Sequence, residues 1–137
     1  MKYLLDTNII LAYLLGQEKA EECERLMRLL PIQDLAISVF SLHSIGVILT
    51  RRRLISVFQA WVREFVGAGV PIVAMSGMEL MMVSKITERM GLDFDDAYQY
   101  AVAEKYDLII VSFDADFNRT PRGRTTPAAL ITRLKPE

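Results

Sequence analysis

Apolar positions along this chain follow two alternating periods. Lys2–Leu5, Leu35–Val39, Pro71–Met75 and Leu108–Ser112 are short, largely apolar runs of strand length. Between them apolar residues recur every three or four positions, the spacing of a helix with one buried face. Thr7–Leu15 is a short apolar helix ended by Gly16, and Glu18–Leu30 an amphipathic one with Cys23, Leu26, Met27 and Leu30 inward, stopped by Pro31. Ser41–Arg52 continues in helix. Leu54–Val66 has the clearest period, with Leu54, Val57, Phe58, Trp61, Val62, Phe65 and Val66 at i, i+3, i+4 steps before Gly67-Ala68-Gly69. Gly77–Met90 turns Met78, Met81, Met82 and Ile86 inward, and Asp93–Lys105 presents Phe94, Ala97, Tyr98, Ala101 and Val102 on one face. The tail from Thr120 is rich in Pro, Gly, Arg and Thr, and only Ala128–Thr132 offers an edge strand.

Strands alternating with helices predict a parallel sheet covered on both faces, because right-handed crossovers place helices there. In the order 3-2-1-4-5, strands one and four are neighbours where the strand order reverses, the place at which open α/β sheets bind ligands. Asp6 follows the first strand in Leu4-Leu5-Asp6-Thr7-Asn8, and Asp114 and Asp116 follow the fourth. The helix before strand four runs back along the sheet, so its first turn, with Asp93, Asp95 and Asp96, reaches the same edge. Alone, each of these acids passes as a helix cap or turn residue. Together they form a carboxylate cluster that needs a cation to stay ionised, and oxygen-only ligands suit Mg²⁺ or Mn²⁺. Thr7, Asn8 and Ser112 lie in the same turns, where they can orient carboxylates.

Composition narrows the classes. The 137 residues fit one domain, spanning 1–137, with a core large enough to need no disulfide. Cys23 is the only cysteine, which excludes an internal disulfide, a thiolate zinc site and a redox pair, and points to a reducing cytoplasm. Apolar runs are all broken well before the roughly 18–20 residues that span a bilayer. Asp6 interrupts the N-terminal run early, so no secretory signal is expected. A net charge of −1 gives no overall attraction to nucleic acid, yet Arg51-Arg52-Arg53 and the group Arg119, Arg122, Arg124, Arg133 are local basic clusters. His43 is the only histidine and opens a helix beside Ser44.

Leu4-Leu5-Asp6-Thr7-Asn8-Ile9-Ile10, Phe94-Asp95-Asp96-Ala97-Tyr98-Gln99-Tyr100-Ala101 and Val111-Ser112-Phe113-Asp114-Ala115-Asp116-Phe117 closely resemble, in order and spacing, the motifs of the PIN-domain family, and within it the VapC-type toxins of toxin–antitoxin pairs. The resemblance covers nearly the whole chain. It implies a three-layer αβα fold with a central parallel sheet of four or five strands, a Mg²⁺- or Mn²⁺-dependent endoribonuclease activity on RNA, frequent homodimers and inhibition by a small antitoxin protein. Carried over by motif, Asp6, Asp96 and Asp114 are the metal-binding acids, with Asp116 a further carboxylate close by and Asp95 the neighbour of a ligand. Arg119, Arg122 and Arg124 are the candidates for gripping RNA phosphates.

One element departs from the pattern. The family's helix after the second strand usually carries a glutamate in an arrangement like Ser-x-x-x-x-x-Glu; here Ser38 opens it and Ser44 stands in the glutamate's place. No acid lies between Asp34 and Glu64 to replace it, and His43 is about 100° round the helix. That departure keeps a second reading open, a weakly active or inactive PIN domain serving as an RNA- or protein-binding module. A receiver-like phosphotransfer domain, also with acids at strand ends, lacks the expected acid or lysine after strands three and five. The apolar stripes on Leu54–Val66 and Gly77–Met90 predict a homodimer contact on one of those helices.

Overall fold

The computed structural model describes residues 1–134. Four short strands, β1 (Tyr3–Leu5), β2 (Leu35–Ser38), β3 (Ile72–Val73) and β4 (Ile109–Val111), form one parallel sheet in the order 3-2-1-4. The register aligns Tyr3 with Leu35 on one side and with Ile109 on the other. Seven helices cover it: α1 (Thr7–Leu14), α2 (Ala20–Leu29), α3 (Val39–Arg51), α4 (Ile55–Trp61), α5 (Leu80–Met90), α6 (Phe94–Tyr106) and α7 (Pro127–Leu134). Val62–Val66 extend α4 with the wider turns of a π-helix.

The alternation of strand side chains divides the core into two layers. Leu5, Ile37 and Val111 face one side, where Ile9, Ile10, Leu26, Leu49 and Trp61 bury against them. Leu4, Ala36 and Ile110 face the other, beneath Val83, Ile86, Tyr100, Val102 and Phe117. Both faces of every central strand are therefore apolar, as helices on both sides require. At the end of α5, Gly91 takes a left-handed conformation at φ 65°, which closes the helix and turns the chain toward α6.

The expected edge strand at Ala128–Thr132 is instead part of α7. Pro127 supplies a helix-ready φ at the first position, and Leu130 and Ile131, adjacent in sequence, are both buried, a pattern a half-buried strand does not allow. The fifth sheet position belongs to Thr125. Its N–H donates to the Ile110 carbonyl at 2.8 Å, and its carbonyl accepts from Ser112 N–H at 3.0 Å, a single parallel bridge beside β4. No helix among the described residues is long and apolar enough to cross a membrane.

Candidate metal centre

β1 and β4 end side by side, and Asp6 N–H donates to the Val111 carbonyl at 3.0 Å. Consecutive strands lie to one side of β1 through β3, and the chain then crosses to place β4 on the other. This is the reversal point that opens a crevice at the strand ends. A cavity of about 270 Å³ occupies it, lined by Asp6, Thr7, Asn8, Ser44, Asp95, Asp96 and Asp114, with Leu11, Phe40 and Ile48 as its apolar wall.

Carboxylate oxygens of Asp96, Asp114 and Asp116 lie within 4.8 Å of one another. Asp6 stands outside that set while sharing the crevice with Asp96 and Asp114. The tight group is thus built from the start of α6 and the turn after β4, with Asp6 as its buried flank. Among the described residues no Lys, Arg or His pairs with Asp6, Asp96 or Asp114, and only Asp116 has a cation nearby, Arg119 at 3.8 Å. The consequence appears at Asp96. Burial first, then the facing carboxyl of Asp114 and the charges of Asp6 and Asp93, push its carboxyl up to about 7. A donor set made only of carboxylate oxygens, with a single exposed arginine at its edge, fits a hard divalent ion.

Asp6 is held from three directions. Its Oδ1 accepts from Thr7 N–H at 2.8 Å, as the cap of α1, and from the Gln99 amide at 3.0 Å. Its Oδ2 accepts from the Ser112 hydroxyl at 2.6 Å. Ser112 Oγ in turn accepts from Asp114 N–H at 2.9 Å, and Asp114 Oδ1 accepts from Asp116 N–H at 2.8 Å. One hydroxyl therefore couples the acid after β1 to the acid after β4. Asn8 braces the same turn, donating to Ser112 Oγ at 3.2 Å and accepting from Phe113 N–H at 3.3 Å.

Gln99, missed by sequence reasoning, is the centre of this arrangement. It is fully buried; its Nε2 also donates to Ser41 Oγ at 2.9 Å and its Oε1 accepts from Ser38 Oγ at 2.6 Å. The Thr7 and Ser41 hydroxyls lie 2.8 Å apart, closing the network. Each of these buried groups would cost about 1–3 kcal/mol if left without its partner. A signal was present: Ala97-Tyr98-Gln99-Tyr100-Ala101 places a carboxamide where its flanks are apolar, and a buried amide must find partners.

The other anticipated residues divide. Ser44 faces the crevice half-buried, in line with Phe40 and Ile48 on α3. His43 is exposed and lines a separate apolar depression with Leu42, Val47 and Phe58. Arg119 donates to the Gly91 carbonyl at 2.8 Å. Arg122 reaches Asp107 and the Leu108 carbonyl, and Arg124 reaches Asn118 and the Ser112 carbonyl, so both bind the C-terminal segment to the sheet. Arg51, Arg52 and Arg53 are exposed, and among the described residues none of their side chains meets an acid or a hydrogen-bond acceptor.

Solved structures share this architecture at low identity. A toxin–antitoxin complex from Klebsiella pneumoniae superposes with a TM-score of 0.73 at 18% identity, covering 92% of this chain and 98% of that one. VapC20 of Mycobacterium tuberculosis, a toxin that cleaves the sarcin–ricin loop, gives 0.76 at 20% identity, covering 88% and 96%. PAE2754 from Pyrobaculum aerophilum gives 0.68 at 21%, covering 98% and 95%. No curated protein matches the sequence. The PIN domain profile matches residues 3–123, a span that contains all three acidic motifs and the four strands that bring them together; the chain belongs to the PIN domain family.

Proposed function

We propose that this protein is a Mg²⁺- or Mn²⁺-dependent endoribonuclease, the toxin of a type II toxin–antitoxin pair. The observation that carries the reading is the carboxylate cluster at the sheet's reversal point, in which burial and the facing carboxyl of Asp114 push the Asp96 carboxyl up to about 7. Asp6, Asp96, Asp114 and Asp116 would hold the ion. When bound, it would polarise the scissile phosphate, lower the pKa of water and offset charge on the leaving oxygen. Two hydroxyls at the site are committed to hydrogen bonds: Ser112 donates to Asp6, and Thr7 is paired with Ser41. In this reading water is the nucleophile, and the side chains orient the acids and keep one wall of the crevice apolar.

Cleavage of single-stranded RNA by the purified protein should require Mn²⁺ or Mg²⁺, stop with EDTA and fall more than about 100-fold in Asp114→Asn. Loss of a group one shell further from a metal already costs about 10–100-fold. Metal-dependent RNA binding with no cleavage at any Mn²⁺ concentration would instead establish the second reading, a binding module, which the serine facing the crevice at position 44 favours.

Partners follow from the same family reading. A small antitoxin protein is the proposed inhibitor, as several solved relatives are toxin–antitoxin complexes. A homodimer is proposed through α5: against the expected inward face, Met81 and Met82 at its start are exposed together with Leu80, as is Met78 just before it at 81% accessible, and only Ile86 of that face is buried. Light scattering should report twice the chain mass at micromolar concentration, and Met81→Glu should reduce it to one; a wild-type monomer throughout that range would dismiss the contact.

A further inference from the structure

A second cavity, of about 260 Å³, adjoins the acidic crevice and shares Asn8 with it as a common wall. Its lining is unlike the first: Phe113, Lys19, Gln17, Glu18, Ala12 and Asn8. Phe113 is half-buried, seated on the core by its contacts with the first apolar layer, and its N–H is fixed by Asn8 Oδ1 at 3.3 Å. The ring therefore rests on the core one residue before Asp114. Lys19 Nζ stands 5.1 Å from the ring centroid, within the range at which an ammonium is drawn to an aromatic face. Lys19, Gln17 and Glu18 are exposed, and among the described residues none of their side chains donates or accepts a hydrogen bond. An aromatic surface seated on the core, an exposed cation and unspent amide and carboxylate groups are therefore gathered beside the carboxylates.

We infer that this cavity is a nucleobase subsite, in which one unpaired base of RNA stacks on Phe113 while Lys19 takes a phosphate of the same strand. The inference rests on the ribonuclease reading and adds to it where the strand goes. Single-stranded nucleic acid is held by aromatic stacking together with cations that track the backbone. Here the stacking surface and the proposed phosphate-cleaving acids are neighbours in sequence, Phe113 and Asp114, so a nucleotide next to the scissile phosphate reaches the ring. Gln17 and Glu18 supply a donor and acceptors for the base edge, the groups by which unstacked bases are read. Lys19 can leave the ring for a phosphate at little cost, being exposed and bound by no acid among the described residues.

The test uses a short single-stranded oligoribonucleotide with 2-aminopurine moved along it one position at a time, bound in Ca²⁺, and the same strands with an abasic site at the reporter position. At one position the wild type should quench the reporter. There Phe113→Ala and Phe113→Leu should abolish the quench and weaken binding by roughly 5- to 150-fold, the range of base–aromatic stacking at about 1–3 kcal/mol. Phe113→Tyr should restore both. The abasic strand should bind wild type and Phe113→Ala alike, which separates stacking from any general loss of structure; Phe113→Leu keeps the apolar volume should the alanine variant unfold. Lys19→Ala should lower the salt dependence of binding by about one phosphate contact. Tight oligonucleotide binding unchanged in Phe113→Leu at every reporter position would overturn the subsite and leave the ribonuclease reading intact. A wild type that neither binds nor cleaves the strand would end that reading, and the subsite with it.

Discussion

Asp96→Asn should abolish Mn²⁺ binding in calorimetry while raising the melting temperature of the metal-free protein at neutral and alkaline pH. The two effects have one origin. Burial and the carboxyls of Asp114, Asp6 and Asp93 raise the Asp96 pKa from an ordinary 3.8 to about 7. Between those values the folded protein retains a proton that the unfolded chain has released. The Asp96 contribution to stability is therefore greatest below about pH 4, declines as pH rises toward 7, and stays at its lower level above it. Asparagine has no proton to lose and keeps the hydrogen-bonding shape, so the variant's melting temperature should be nearly level across this window. Because Asp96 is only half-buried, solvent screens part of the repulsion and the stabilisation should be modest, a shift of a few degrees. Saturating Mn²⁺ should flatten the wild-type profile in the same way, by binding the ionised cluster. A variant with wild-type Mn²⁺ affinity, or a wild-type melting temperature that climbs from pH 5 to 8, would contradict the assignment of this cluster.

The β/α alternation and the convergence of Asp6, Asp96 and Asp114 on one crevice were legible because each depends on periodicity and on a strand order that places β1 beside β4. What escaped depends on tertiary contact. The apolar flanks of Gln99 mark it locally as an amide in need of partners, but which partners only the fold supplies: Ser38, Ser41 and Asp6, from other segments. The segment 128–132 has β-compatible residues, but burial of both Leu130 and Ile131 against neighbouring helices decides for α7. Arginines are the least legible of all. Arg122 and Arg124 fall in a basic run suited to phosphate, yet backbone carbonyls left open at Leu108 and Ser112 claim them. Only the fold reveals that, of the two basic clusters, it is Arg51–Arg53, at the far end of the helix that carries Ser44, whose side chains are unengaged among the described residues.

Ser44→Glu should tighten Mn²⁺ binding by about tenfold or more and raise the rate of RNA cleavage in proportion at limiting metal. Ser44 lines the same crevice as Asp6, Asp96 and Asp114, so a carboxylate there adds a charge and a strong oxygen ligand to a set that lacks both at this position. Ten-fold corresponds to about 1.4 kcal/mol, small beside what one further charged ligand contributes in a partly buried site. The cost falls on the metal-free protein. Another carboxylate in the crevice enlarges a repulsion in which, among the described residues, no cation pairs with Asp6, Asp96 or Asp114, so the melting temperature should drop without metal and recover with it. Outright unfolding is not expected, because residue 44 is half-exposed to the crevice and its charge keeps water, unlike a charge forced between helix and sheet. Ser44→Gln separates ligand from charge: it offers an oxygen of similar reach without the negative charge, and should leave the metal-free stability unchanged while tightening Mn²⁺ binding far less. A folded Ser44→Glu protein with unaltered Mn²⁺ affinity would show that position 44, although open to the crevice, does not reach the ion.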